Sequence, residues 1–216
     1  MLSFIEEITL LLLDDSRGQF VDLAVSARDV VIAGAALMDL ALAGRIDTDL
    51  ERMVVVDAAP TGDAILDDAL SRLLPPAEGA GLAEAIETLS PFAEGYKEKA
   101  LQRLVARRIL REERGRFLWV FATRRYPVID QTEQREVKAR LRAVLLTDEV
   151  PEPRDIVMVC LIDACNLLGL VSTIHELQHS TARIEQLRKM DLIGQMVIRT
   201  VDEICFCVKN ATPLIS

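Results

Sequence analysis

Hydrophobic residues along this 216-residue chain fall mostly at helical spacing, with only brief stretches suited to strands. Ser3 followed by Glu6 forms a capping box ahead of an apolar run, Ile5 to Leu13, that predicts a short buried helix. The stretch 14–18 reads as a turn. Ser26 or Asp29 then opens a longer helix through VVIAGAALMDLALAG, ended by Gly44 where a left-handed cap is needed. It is apolar nearly all round, with Ala and Gly permitting close approach, and so predicts the centre of the fold. Arg45–Ile46 and Met53–Val56 are short strand candidates, the second supported by three consecutive valines. The loop Asp57-Ala-Ala-Pro-Thr-Gly-Asp leads into an amphipathic helix, Ala64 to Leu74, and Pro75–Pro76 with Glu78–Gly81 breaks the chain.

Glu94 to Leu110 reads as helix, with Leu101, Leu104, Val105 and Ile109 along one face. Within ILREERGRFLWVFAT, the central 113–116 predicts a tight turn between two strands, Gly115 supplying its positive φ. Alternate members of FLWVF then line one face of a two-stranded ribbon. A basic helix follows from Gln131 to Leu146, a linker bounded by Pro151 and Pro153, and an apolar helix from Asp155 through Leu170. Two or three further helices fill 175–209. The apolar helices on either side of Pro75–Pro76 need each other as partners, so 1–216 reads as a single compact helical domain, mainly α, with short strands and one β-hairpin.

Composition supports helices over a β-sandwich: half the residues are hydrophobic but only 4% are aromatic. Arg outnumbers Lys 20 to 5, which hints at a bacterial source. The start of the chain lacks a basic n-region and cleavage site. Its longest uncharged apolar stretch, Val30 to Met38, is far short of the about 20 residues a membrane span needs. The expected setting is therefore cytoplasmic, with any membrane contact peripheral. Cys160, Cys165, Cys205 and Cys207 lack the spacing of a zinc or redox site and read as buried free thiols.

Charge is distributed unevenly. The net charge of −9 argues against a nucleic-acid partner, yet 97–142 holds 14 Lys plus Arg against 6 Asp plus Glu, a local +8 within an otherwise −17 chain. A bipolar molecule of this kind docks its basic side on an anionic surface while the remainder orients it. A basic helix pair offset by acidic neighbours within one fold accounts for the same numbers. Membrane is favoured over nucleic acid because the basic segment also holds Phe117, Leu118, Trp119, Val120 and Phe121, apolar side chains suited to headgroup depth.

These segments together resemble the Golgi phosphoprotein 3 family, in a bacterial form. The marks are LSFIEEITLLLL, GAALMDLALAGRI, DAAPTGDAILDDAL, LVARRIL with FLWVFATRRYP, and IVMVCLIDACNLL. The resemblance implies a mostly helical, non-enzymatic adaptor without cofactor or metal. It implies peripheral binding to phosphatidylinositol 4-phosphate headgroups, and a hydrophobic hairpin that dips into the bilayer and aids self-association. Here FLWVF occupies the hairpin's place, giving an anionic phospholipid membrane and a homo-oligomer through the hairpin as expected partners. Eukaryotic members clamp the headgroup with a Trp and an Arg ahead of the central helix. Those positions fall at Leu23–Ala24 and Ala33. Of two further basic positions, Lys97 matches the second and Glu94 stands at the first. The candidate headgroup residues are therefore Lys97, Arg28, Arg103, Arg107 and Arg111.

Two alternatives stand beside this. One is a soluble interaction or regulatory scaffold that kept the fold and lost lipid recognition. The more remote one is a zinc metallopeptidase, because His175-Glu-Leu-Gln-His179 fits H-E-x-x-H, with Glu176 as base and Asp202 or Glu203 as third ligand. The carboxylates Asp57, Asp63, Asp67 and Asp68 cluster near the Pro-Thr-Gly turn, where Asp63 reads as a helix N-cap and the next two as first-turn charges.

Overall fold

The capping box at Ser3 forms. Ser3 Oγ accepts from the Glu6 N–H at 3.2 Å and the Glu6 carboxylate accepts from the Ser3 N–H at 2.9 Å, starting α1 (Phe4–Leu11). The computed structural model describes residues 1–14, 17–21, 25–48, 52–74, 81–117, 121–164 and 166–190. Every residue of α1 is buried, including Glu6 and Glu7, because the other helices wrap it. A second cap comes from α2 (Val25–Leu42): Asp39 accepts from the Phe4 and Ile5 N–H groups at 2.9 and 3.2 Å. Orphan amides of one buried helix are thus satisfied from the flank of another.

As its all-round apolar pattern requires, α2 runs through the core and is followed by Gly44 at φ 65°. Gly34 marks its closest approach: a Cβ there would lie 2.8 Å from Leu161 Cδ1 of α7 (Pro153–Ala164). The strands β1 (Ile46–Thr48) and β2 (Met53–Val55) pair antiparallel, Ile46 opposite Val55. Asp63 then caps α3 (Ala64–Leu73) through the Ile65 and Leu66 N–H groups. The sequence pattern left α4 (Leu82–Leu89) unassigned; it buries Leu82, Ala85, Ile86 and Leu89. A 3₁₀ turn, Ser90–Phe92, joins it to α5 (Ala93–Ala106).

α5 stops short of the expected Leu110. Arg107 closes it, Arg108 takes φ 60°, and Ile109–Leu110 run beside Val128–Ile129 instead. The hairpin is longer than expected and its turn lies elsewhere. β3 (Glu113–Phe117) pairs with β4 (Phe121–Arg125), with Gly115 opposite Thr123 and Phe117 opposite Phe121. Residues 113–116 are therefore strand and do not form the expected turn. α6 (Thr132–Leu146) follows as expected. α7 ends at Ala164 rather than continuing through Leu170, and a separate 3₁₀ turn covers Leu168–Leu170. α8 (Ile174–His179) and α9 (Thr181–Met190) complete the described chain. Among the described residues the fold is thus mainly helical, with two small antiparallel pairs of strands.

One ionic network ties α1, α6 and α7. Arg140 donates to both Glu7 oxygens and to Asp155, while Arg154 pairs with Glu7 and donates to the Leu2 carbonyl. Burial still pushes the Glu7 carboxyl above its ordinary range, against the pull of both arginines.

Candidate headgroup site

Between α1 and α2 the chain makes a closed turn. Asp14 accepts from the Arg17 and Gly18 N–H groups, the Asp14 N–H donates to the Gln19 carbonyl, and Leu13 bridges Phe20. This turn delivers Phe20 to the junction of α2 and α5. The Lys97 ammonium lies 4.8 Å from the Phe20 ring centroid and the Arg28 guanidinium carbon 5.9 Å from it. Both distances are within cation–π reach. Arg28 Nε is buried and finds no hydrogen-bond partner among the described residues.

Two carboxylates balance the two cations. Lys97 Nζ donates to Glu94 Oε2 at 2.5 Å; the lysine side chain is only 7% exposed, whereas that of Glu94 is 58% exposed. Their spacing on α5 makes this an i, i+3 pair. Asp29 follows Arg28 on α2, and burial raises its carboxyl above the usual range. Arg28 and Lys97 pull it down while Glu94 pushes it up, so all four charges act on one another. The two cations near Phe20 are thus offset by two anions, of which Glu94 is largely exposed.

Of the expected headgroup residues, the structure brings together Lys97 and Arg28. The other three lie farther along α5 and its exit, each already joined to a carboxylate. Arg103 clamps Asp63 with two 2.7 Å hydrogen bonds. Burial works against the charged form of Asp63, but Arg103 and the cap amides outweigh it and hold the carboxyl below its ordinary range. Arg107 lies 3.5 Å from Glu6 and 3.4 Å from Glu133, and Arg111 pairs with Glu113. This face is a mosaic of ion pairs, not a bare cationic patch.

Phe20 was not singled out from the sequence, where it is an isolated aromatic after a Gly turn. The signal available was its position between the turn and the Arg28 helix. Ala33, the position the resemblance assigns to an Arg, is fully buried in α2 and belongs to the core. Leu23 and Ala24 lie outside the described residues. So do Leu118, Trp119 and Val120 of the hairpin, and so do Cys165, Cys205 and Cys207, while Cys160 is buried. The base of the hairpin is well tied: Tyr126 N–H donates to the Gly18 carbonyl at 2.7 Å and Arg111 N–H to the Pro127 carbonyl at 3.1 Å.

The H-E-x-x-H residues form the short, exposed α8. The two imidazoles lie 4.4 Å apart, with His179 Nδ1 bonded to the His175 carbonyl. Glu176, however, completes the capping box at Thr173 and pairs with Arg142, which holds it away from a general base's task. Asp202 and Glu203 lie outside the described residues. The aspartates near Pro-Thr-Gly are equally engaged: Asp57 with Arg45, Asp67 with the Thr61 N–H and hydroxyl, Asp68 with Arg72 and Tyr96. Among the described residues no His, Cys, Asp or Glu side chains form a group of three that would hold a metal ion. No described helix is long and apolar enough to cross a membrane.

The chain that builds this helical fold matches the family model for Golgi phosphoprotein 3 (GPP34) over residues 4–204 and belongs to that family. It is similar to the vacuolar protein sorting-associated protein 74 of Eremothecium gossypii, at 28% identity over 207 residues covering 79% of this chain and 61% of that protein. The chain thus spans about three-fifths of the curated relative's length.

Proposed function

We infer that this protein is a non-enzymatic, peripheral membrane adaptor that binds anionic phospholipid headgroups of the phosphatidylinositol 4-phosphate kind. Lys97 and Arg28 meet the phosphate over the Phe20 ring. Arg103, Arg107 and Arg111 supply a longer-range basic field, and Phe117 to Phe121 forms the membrane and self-association element. The observation that carries this is the convergence of Arg28 and Lys97 on Phe20, with the buried Arg28 Nε finding no hydrogen-bond partner among the described residues. A phosphate oxygen satisfies such a donor through a charge-assisted hydrogen bond. Family membership supports the same assignment. Vesicle flotation tests it: the protein rises with vesicles containing anionic lipid and stays down with phosphatidylcholine alone. Equal flotation with both, or with neither, refutes the function.

One observation favours a soluble scaffold without lipid recognition. The buried Lys97 ammonium is already paired with Glu94. The same flotation experiment separates the two, since a scaffold stays down in every case.

A further inference from the structure

His175 and His179 are the only histidines in the chain, and the headgroup site uses neither. Both are exposed, one turn apart on α8, a helix whose start is fixed by the Thr173 capping box. Residues i and i+4 share a helix face, and this is the spacing by which two imidazoles take one metal ion.

The His179 ring is already in the form a metal ion needs. Its Nδ1 lies 2.7 Å from the His175 carbonyl oxygen. A carbonyl only accepts, so Nδ1 carries the proton and Nε2 keeps its lone pair. Metal-bound histidines are oriented in this way, the second ring nitrogen donating to a carbonyl or carboxylate. The two ring centres are 4.4 Å apart, with their planes tilted by 39°. Imidazoles that share one ion at N–metal distances of about 2.1 Å have centres about 4.5 to 5 Å apart, for bond angles between a right angle and the tetrahedral one. Rings already this close have little distance left to travel.

Glu176 stands apart from this pair. One of its oxygens accepts from Arg142 and the other from the Thr173 N–H and hydroxyl. No third His, Cys, Asp or Glu joins the two histidines among the described residues. An ion bound here keeps water on its remaining positions, unlike a closed four-ligand structural site or a three-ligand hydrolytic one.

We propose that His175 and His179 form a two-imidazole surface site for a late first-row divalent ion, Ni²⁺ or Zn²⁺, completed by water. Imidazole suits these ions, Mn²⁺ lies well below them in affinity for nitrogen ligands, and Mg²⁺ prefers oxygen. The site stands or falls separately from membrane binding.

Calorimetric titration of the full chain should show one Ni²⁺ or Zn²⁺ per chain, weaker binding of Mn²⁺ and none of Mg²⁺. His175→Ala and His179→Ala, at exposed positions, should each weaken Zn²⁺ binding by at least about tenfold, since losing a ligand costs no less than losing a residue that orients one. Glu176→Gln keeps the capping box and should bind Zn²⁺ as the wild type does. In the wild type, Zn²⁺ should protect the imidazoles from diethyl pyrocarbonate, a signal that only these two histidines supply. The proposal is overturned by no uptake, by Mg²⁺ binding as tightly as Zn²⁺, or by imidazoles that react equally fast with and without Zn²⁺. Uptake that survives either histidine substitution, or is lost in Glu176→Gln, assigns the ion to other ligands and overturns it as well.

Discussion

Gly18 and Pro127 touch so closely that a Cβ on Gly18 would lie 2.4 Å from the Pro127 backbone nitrogen, and Gly18 itself holds φ +60°. The turn that delivers Phe20 is thereby pressed against the residues that leave β4, and the Gly18 carbonyl accepts from Tyr126 there. Substitution meets two obstacles together, a left-handed backbone and a backbone clash. Gly18→Ala is expected to lose about 2 kcal/mol of stability, read as a lower denaturation midpoint. It should weaken anionic-vesicle binding even under conditions where the protein stays folded, because Phe20 moves with the turn. An unchanged midpoint and unchanged binding would show that the two loops are independent.

Asp39 makes a pH-dependent contribution. Burial pushes its carboxyl from 3.8 up to about 6, although the Phe4 and Ile5 amides pull it down. The folded protein therefore keeps a proton that the unfolded chain releases at lower pH. The stability linked to this proton is complete below pH 3.8 and is lost as the pH rises through about 6. Relative to Asp39→Asn, the wild type should lose up to about 3 kcal/mol between pH 4 and 7. Urea titrations of both proteins across that range check it, and a constant difference would contradict it.

The Arg140 network responds to the loss of one partner more than to replacement of the pair. Glu7 and Asp155 side chains are 2% and 5% exposed, and Arg140 bonds both. Arg140→Ala should cost about 3 kcal/mol in chemical unfolding. Glu7→Gln in the same background should recover part of that loss. No recovery would mean that Arg154 alone satisfies Glu7.

Capping residues made much of this fold readable in advance. Ser3 with Glu6, and Asp63, announce α1 and α3 because their partners are three residues away or fewer. α4 gives no such notice: Gly81, read as part of a chain break, offers no side-chain cap, and a 3₁₀ turn through Pro91 follows at once. Gly115 invited a turn, yet a glycine is tolerated in a strand, and Gly115 pairs opposite Thr123 instead. At the site, Lys97 and Arg28 were readable from charge and resemblance. Phe20 was not, since its importance comes from the meeting of Arg28 with Lys97, which lies far away in sequence. The buried ion pairs of Glu6 and Glu7 were hidden for the same reason: the helix period makes both look like surface charge, and their arginines lie more than a hundred residues on.

Trp119, the single tryptophan, tests the hairpin by itself. Trp119→Ala is expected to weaken vesicle binding or self-association while leaving the unfolding midpoint nearly unchanged, as measured by flotation and sedimentation velocity beside thermal melts. An unaltered vesicle affinity and sedimentation profile would remove the hairpin's role.

The most direct measurement is co-sedimentation of the wild type and Arg28→Ala with phosphatidylcholine vesicles, with and without anionic lipid. The wild type should pellet only with the anionic vesicles, and Arg28→Ala should bind them about fivefold more weakly, as the loss of about 1 kcal/mol from one basic residue implies. Wild-type pelleting that ignores lipid charge, or full-strength binding by Arg28→Ala, would contradict recognition at Phe20.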